Sequence, residues 1–287
     1  MRILITGGNG QLGSEWVYFL NKQGVEFIAL PSSDLDITDH ADVRRVLNNL
    51  RPDLIINCAA YTKVDQAEDE KEKAFAVNAD GVKNLADYCA EHKIKLIHFS
   101  TDYVFEGSLE DKDRLPEGYP EDHPTSPINA YGESKLAGEV SILNSGCDHL
   151  IIRVSWLCGR FGNNFVKSMI RLGKERDELN IVNDQFGSPT FADNVVENTW
   201  HLIDQNISGL YHITSRGMIT WYDLAQAIFK KTGEPVKVKP ISSSEYPTKT
   251  KRPAFSLLST KKIAAVPGIT LTDWQEGLHK LLANIDT

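Results

Sequence analysis

The sequence predicts an α/β protein built on a doubly wound parallel sheet, with a smaller α+β lobe behind it. Three observations carry this expectation. Short β-branched apolar runs alternate with longer helical patterns through the first half, as βαβ units require. Those runs are apolar almost without interruption, which fits strands covered by helices on both faces. A glycine-rich turn follows the first run directly and opens the first helical pattern.

In chain order, the expected strands of the first half are "RILIT" (2–6), "EFIAL" (26–30), a very short "LDI" (35–37), "LIINCA" (54–59), "KLIHFST" (95–101) and "HLIIRVSW" (149–156). Helical patterns lie between them near 11–23, 39–50, 70–91 and 130–144. After residue 157 the pattern loosens, with helices expected at 163–175, 193–204, 221–231 and 272–284 and strands at "ELNIV", "GLYHI" and "VKVKPI". This divides the chain into a dinucleotide-binding domain, 1–157, and a lobe, 158–287, that is mainly substrate-binding and returns some elements to flank the sheet. Residues 106–129 are acidic, carry four prolines and lack periodicity, so they read as a long loop, a kind of segment that is often functional.

Composition narrows the function. The 287 residues are 41% apolar and 24% charged, ordinary for a globular chain with a sizeable core. A net charge of −8 argues against a nucleic-acid partner, since such proteins carry basic patches. The run "KTKR" at 249–252 is short and reads equally well as a solvated loop. Four cysteines, Cys58, Cys89, Cys147 and Cys158, form no C-x-x-C pair, and eight histidines are dispersed without H-E-x-x-H, so neither a disulfide framework nor a metal site is expected. No apolar stretch approaches the ~20 residues that span a bilayer, and the N-terminal run is too short for a signal peptide. A soluble, cytoplasmic chain is expected, with no membrane partner.

"TGGNGQLG" places Gly7, Gly10 and Gly13 at G-x-x-G-x-x-G spacing, with Gln11 and Leu12 entering the helix. Glycines let the chain pass close to a pyrophosphate, and a helix N-terminus offers unpaired N–H groups, so this is a dinucleotide site of the Rossmann type. The second strand ends "AL" and continues "PSSD", with no carboxylate at its tip to grip an NAD ribose. Ser32 and Ser33 accommodate a 2′-phosphate, so the expected cofactor is NADPH, with NADH tolerated. Asp36 and Ile37, on the short third strand, are placed for the adenine edge, and Asp39 reads as a helix N-cap. "NCAAYT" closes the next strand, where small Ala59 and Ala60, then Tyr61 and Thr62, suit the crevice at strand carboxyl ends.

"STDYVF" ends the fifth expected strand with Ser100, Thr101, Asp102 and Tyr103, a polar cluster where a buried strand would otherwise stay apolar. "YGESK" follows, with Tyr131 and Lys135 at helical i, i+4 spacing. Spacing alone does not single it out, because Tyr18 and Lys22 in "YFLNK" share it. Position does: Tyr131 and Lys135 begin a helix after the polar strand end, with Asn129 as its cap. Gly132 and Gly138 interrupt that helix at a cost of up to ~1 kcal/mol each, which calls for close approach of something. A nearby ammonium favours the phenolate and brings a tyrosine toward a useful acid, able to protonate a carbonyl oxygen as hydride reaches its carbon, while Thr101 hydrogen-bonds the same oxygen.

Together these motifs resemble the extended short-chain dehydrogenase/reductase superfamily. Within it, "NCAAYTKVDQAE", "STDYVFEG", "YGESKLAGE", "RVSWLCG", "NDQFGSPT" and "RPAFSLLSTKK" are similar to the dTDP-4-dehydrorhamnose reductase family over nearly the whole chain. The resemblance implies NADPH-dependent reduction of the C4 ketone of a dTDP-sugar, with Tyr131 as proton donor, Lys135 orienting the nicotinamide ribose and Thr101 completing the triad. It implies substrate contacts from Asp102 and Tyr103, stacking of Trp156 on the sugar, and Asn163, Asn164 and Arg252 at the nucleotide end. Trp156 by itself reads as a core aromatic. Some relatives bind magnesium at a dimer contact; Glu15 matches one ligand but Asp193 stands where a second glutamate is wanted, so no metal is expected and the chain is read as a monomer or homodimer. Two alternatives stand beside the reductase: a dinucleotide-binding regulatory subunit like that of methionine adenosyltransferase, and an epimerase or dehydratase of another nucleotide sugar.

Overall fold

A computed structural model describes residues 1–246 and 248–285. β1 (Ile3–Thr6) leads into α1 (Gln11–Gln23), β2 (Phe27–Leu30) into α2 (His40–Leu50), and β3 (Leu54–Asn57) into α3 (Lys71–Phe75) and α4 (Gly81–His92), which a π turn at Ala76–Asp80 joins. β4 (Lys95–Thr101) is followed by the short α5 (Asp111–Arg114), then α6 (Ala130–Ser145) and β5 (His149–Val154). The remainder supplies β6 (Leu157–Cys158), α7 (Phe165–Glu175), β7 (Glu178–Val182), β8 (Phe186–Gly187), β9 (Thr190–Phe191), α8 (Ala192–Asp204), β10 (Gly209–His212), β11 (Ile219–Thr220), α9 (Trp221–Thr232), β12 (Lys237–Ile241), α10 (Lys261–Ala264) and α11 (Trp274–Asn284).

Six strands form one parallel sheet in the order β10-β5-β4-β3-β1-β2. Alternate side chains serve opposite faces. Ile3, Ile5 and Ile56 pack toward Trp16 of α1 and Val195 of α8, whereas Leu4, Ile55 and Leu96 pack toward Leu47 of α2 and Leu85 of α4. Both faces are thus covered, which is why the strands read as unbroken apolar runs. The strand order reverses between β1 and β3, the place in open α/β sheets where a crevice outside the strand carboxyl ends takes ligands. Asp39 caps α2, accepting from the N–H groups of Ala41 and Asp42 at 2.8 and 3.2 Å.

The expected third strand at 35–37 is absent. After β2 the chain turns at Pro31, whose carbonyl accepts from the N–H groups of Asp34 and Leu35. Asp36 then folds its carboxylate onto its own loop, accepting from the Thr38 N–H at 2.9 Å and hydroxyl at 2.7 Å. Leu35 and Ile37 bury their side chains in the core beneath α2 and α4 rather than extending the sheet, so β2 is its edge.

β10 pairs with β5 and α8 packs on α1, so these late elements lie against the large sheet. Helices α7, α9 and α11, with the β7–β12 pair, enclose a separate core around Met169, Leu224, Ile228, Phe229 and Leu278. The segment 106–129 is anchored through Tyr119, which stacks on Phe105 at 4.4 Å and donates its N–H to Leu257 O at 2.8 Å. No helix of the described residues is long and apolar enough to cross a membrane.

Candidate active site

The glycine loop is a cradle that side chains would fill. A Cβ at Gly7, whose φ is +64°, would stand 2.7 Å from Ala59 N, and one at Gly13 would stand 2.3 Å from Gly7 O. Gly10 donates to Gly7 O at 2.9 Å and begins α1 without a side chain, and no acidic residue occupies the first turn. A dinucleotide diphosphate fits this set: close backbone, helix N–H groups and no competing carboxylate. Gln11 leaves the loop, reaching Leu157 O at 3.1 Å and accepting from Asn164 Nδ2 at 3.0 Å, while Leu12 is buried under the sheet.

Asp36 is exposed on its turn, and Ile37 is buried with its carbonyl accepting from Asn84 at 2.9 Å, so the two occupy a loop after β2 rather than a strand. Ala60 and Thr62 are exposed at the mouth beyond β3, and Ala59 is half-buried. Tyr61 is turned inward, its hydroxyl donating to Glu70 at 2.7 Å and its N–H to Asn78 at 2.9 Å.

At the end of β4, Thr101 donates to Asp102 Oδ1 at 2.9 Å and accepts from the Tyr103 N–H at 3.2 Å. Asp102 is 3% exposed, and its Oδ2 has no partner among the described residues. Burial, opposed by the Thr101 hydrogen bond, pushes its carboxyl up to about 7. Ser100 Oγ is likewise buried without a partner. Two orphaned polar atoms at a strand's carboxyl end are what a polar substrate would satisfy.

Asn129 caps α6 by accepting from the Gly132 N–H at 2.8 Å, which fixes where Tyr131 stands. Its ring meets Tyr103 edge-on, with centroids 5.5 Å apart. The two helix glycines are explained by the protein's own backbone and not by a ligand: a Cβ at Gly132 would stand 2.2 Å from Tyr103 O, and one at Gly138 would stand 2.1 Å from Asn78 O. Lys135, 2% exposed, points into the sheet and donates to Phe99 O at 2.7 Å. The expected lowering of Tyr131 is not found. Burial first, then the Asp102 carboxyl and Tyr103, push its phenol up, and only the Thr101 hydroxyl acts the other way. Lys135 itself is pushed down to about 8, chiefly by burial. Tyr18, by contrast, is exposed, with the Arg160 guanidinium 4.2 Å from its ring centroid.

Trp156, with φ +47°, lies flat on Trp221 at 3.7 Å and donates Nε1–H to Ser256 at 3.1 Å, so one of its faces is taken by protein. Asn163 is exposed, whereas Asn164 caps α7 and ties it to Gln11, a structural duty that the expectation of a nucleotide contact did not include. Arg252 pairs with Asp65 at 2.8 Å and neighbours Tyr103; Lys249 pairs with Asp69. Basic residues of "KTKR" therefore strap the chain to the turn after β3 before any diphosphate is considered. Glu15 pairs with Arg160 at 3.2 Å and Asp193 with Lys280 at 2.8 Å, and the described residues hold no group of three or more His, Cys, Asp or Glu placed for a metal.

Sequence reasoning missed His98 and gave Asn57 no role. Both are buried beside Lys135, and a lone histidine inside "KLIHFST" was the available signal. It missed the buried Arg153–Glu139 pair, two bonds of 2.9 and 2.7 Å behind α6, and Glu68, which holds Ala130 N and the Thr250 hydroxyl at 2.9 Å each.

The RmlD substrate binding domain family matches residues 1–287. A dTDP-4-dehydrorhamnose reductase of Sinorhizobium fredii is 38% identical, covering 98% of this chain and 97% of its own. One from Escherichia coli is 39% identical over 100% and 99%. The crystal structure of a dTDP-4-dehydrorhamnose reductase from Bacillus anthracis in complex with NADP superposes with a TM-score of 0.93 at 40% identity, covering 98% of each chain. Matched over its whole length in sequence and fold, the chain belongs to the dTDP-4-dehydrorhamnose reductase family.

Proposed function

We infer that the protein reduces the C4 ketone of dTDP-4-dehydro-β-L-rhamnose to dTDP-β-L-rhamnose, using NADPH and accepting NADH, as a step toward cell-surface polysaccharide. The observation that carries this is the gathering of Thr101, Asp102 and Tyr131 where β4 ends and α6 begins, with the Lys135 ammonium on Phe99 O of β4, at the same carboxyl edge of the sheet as the glycine cradle of Gly7, Gly10 and Gly13 after β1. The nicotinamide ring, when bound, supplies the hydride that the ketone carbon accepts.

Every other part falls to the chain's own residues. Tyr131 holds the proton that the ketone oxygen needs, and its raised affinity keeps the resting site loaded as an acid. Lys135, one helical turn on, is a buried cation whose ammonium ends on Phe99 O, and we assign it to orienting the nicotinamide ribose. Thr101 stands beside Tyr131, and its hydroxyl, turned from Asp102 Oδ1, donates to the ketone oxygen. Asp102 and Trp156 border the sugar, and Tyr103, Asn163, Asn164 and Arg252 border the nucleotide end. Asp36, Ile37, Ala59, Ala60, Tyr61 and Thr62 border the cofactor. The four free cysteines suit a reducing compartment, and we place the enzyme in the cytoplasm as a monomer or homodimer. The test is NADPH absorbance after addition of dTDP-4-dehydro-L-rhamnose: loss of one equivalent per ketone is expected, and tight NADPH binding without turnover would overturn the reading in favour of a regulatory subunit.

A further inference from the structure

Beneath the crevice, side chains from four elements form one buried hydrogen-bond chain: Thr6 of β1, Asn57 of β3, His98 of β4 and Lys135 of α6, each no more than 2% exposed. The Thr6 hydroxyl donates to Asn57 Oδ1 at 2.6 Å, and the Ala59 N–H donates to the same atom at 3.1 Å. A backbone N–H can only donate, so that atom is the amide oxygen and the orientation of Asn57 is settled. Asn57 Nδ2, itself only a donor, meets His98 Nδ1 at 3.0 Å, which must accept. Burial, with the neighbouring Lys135 charge adding to it, holds this imidazole neutral. A neutral ring accepting at Nδ1 carries its proton on Nε2, and Nε2 lies 3.4 Å from Lys135 Nζ.

We propose that Thr6, Asn57 and His98 form a tautomer lock, and that His98 is a positioning residue which weakens the hold of Lys135 on its proton by offering it an N–H rather than a lone pair. Two donors face each other while the lysine is charged, and the amine left after deprotonation accepts the same N–H. The other groups facing Lys135 do not cancel this. Glu139, one turn along α6, favours the ammonium but is engaged by Arg153 through two hydrogen bonds. Burial keeps Cys58 a neutral thiol. Phe99 O accepts from the lysine in either state. The lock therefore sets the pH above which the site holds no buried cation at Lys135, an alkaline limit for ketone reduction.

That consequence rests on the proposed reaction, but the lock itself is read without substrate, on the full chain carrying 15N-histidine and 13C-lysine. Wild-type His98 is expected to show a protonated Nε2 and a bare Nδ1. In Asn57→Asp the carboxylate accepts from Nδ1, so the tautomer reverses and the Lys135 midpoint rises by about one pH unit or more. In a His98→Phe background the same exchange loses most of that rise. A wild-type ring protonated on Nδ1 overturns the proposal, as does a full rise in the His98→Phe background, which would mean that the added carboxylate acts through space. These signals need no turnover, so their failure leaves the proposed reaction standing, and failure of the reaction leaves the lock measurable.

Discussion

Gly132→Ala sets two effects of similar size against each other at the start of α6. Alanine in a helix interior is favoured over glycine by about 1 kcal/mol, which alone would stabilise α6. The added Cβ would stand 2.2 Å from Tyr103 O and 3.0 Å from Pro127 Cβ. The first contact is backbone and falls about 1 Å short of ordinary van der Waals distance, so the turn Asp102–Val104 must move. That turn is held by Thr101 Oγ1 on the Tyr103 N–H and by Asp102 O on the Phe105 N–H, so moving it weakens hydrogen bonds as well as packing. Overpacking costs about 1–3 kcal/mol and a lost hydrogen bond about 1 kcal/mol, so the clash wins and net destabilisation of roughly 1–3 kcal/mol follows. Because the same shift displaces Asp102 from Tyr131, kcat is expected to fall by on the order of 10²-fold. Urea unfolding and NADPH oxidation read the two effects separately. A variant as stable as wild type with unchanged kcat would refute the close approach of α6 to the β4 end.

Other substitutions test the remaining parts. Tyr131→Phe removes the proton donor and should lower kcat by about 10²–10⁴-fold with NADPH affinity nearly unchanged, whereas Tyr18→Phe, outside the crevice, should leave kinetics as they are; equal damage from both would misplace the site. Glu139→Ala strands the Arg153 guanidinium in the core and should cost about 3–5 kcal/mol in urea unfolding, a loss that Arg153→Met in the same chain partly restores. Asp102 carries a folded-state value near 7, above that of the unfolded carboxylate, so its contribution is present at acid pH and is lost as pH rises from about 4 to 7. Asp102→Asn should flatten that decline in a pH series of unfolding midpoints, and an unaltered slope would count against a carboxyl buried with one oxygen unpartnered.

The sheet was legible because burial on both faces leaves an unbroken apolar run, and the cofactor loop because its glycines are demanded by contacts such as Gly13 Cβ against Gly7 O. "LDI" read as a strand for the same apolar reason. Its backbone went instead to a turn capped by Asp36, a choice made by side-chain hydrogen bonds that hydropathy does not register. Position places Tyr131 and Lys135 at the start of a helix after the polar end of β4, as the structure has them, but not the direction in which Lys135 points. Helical spacing places two residues on one face without saying that one ammonium ends on Phe99 O. The glycines of α6 correctly signalled a close neighbour, yet only the fold identifies it as Tyr103 O and Asn78 O. His98 and Asn57 went unread because their partners lie on strands 41 residues apart in sequence. Trp156 could be placed beside sugar or core from the sequence, and the structure gives one face to Trp221.

The central claim, that Tyr131 and the glycine cradle serve one hydride transfer to a sugar ketone, is tested most directly by isotope. NADPH deuterated on the transferable position of its nicotinamide is incubated with the protein and dTDP-4-dehydro-L-rhamnose, and the product is examined by proton and deuterium NMR. dTDP-L-rhamnose carrying deuterium at C4 is expected, one per NADPH consumed, with Tyr131→Phe forming it about 10²–10⁴-fold more slowly. Unlabelled product, or bound cofactor that never transfers its label, would contradict it.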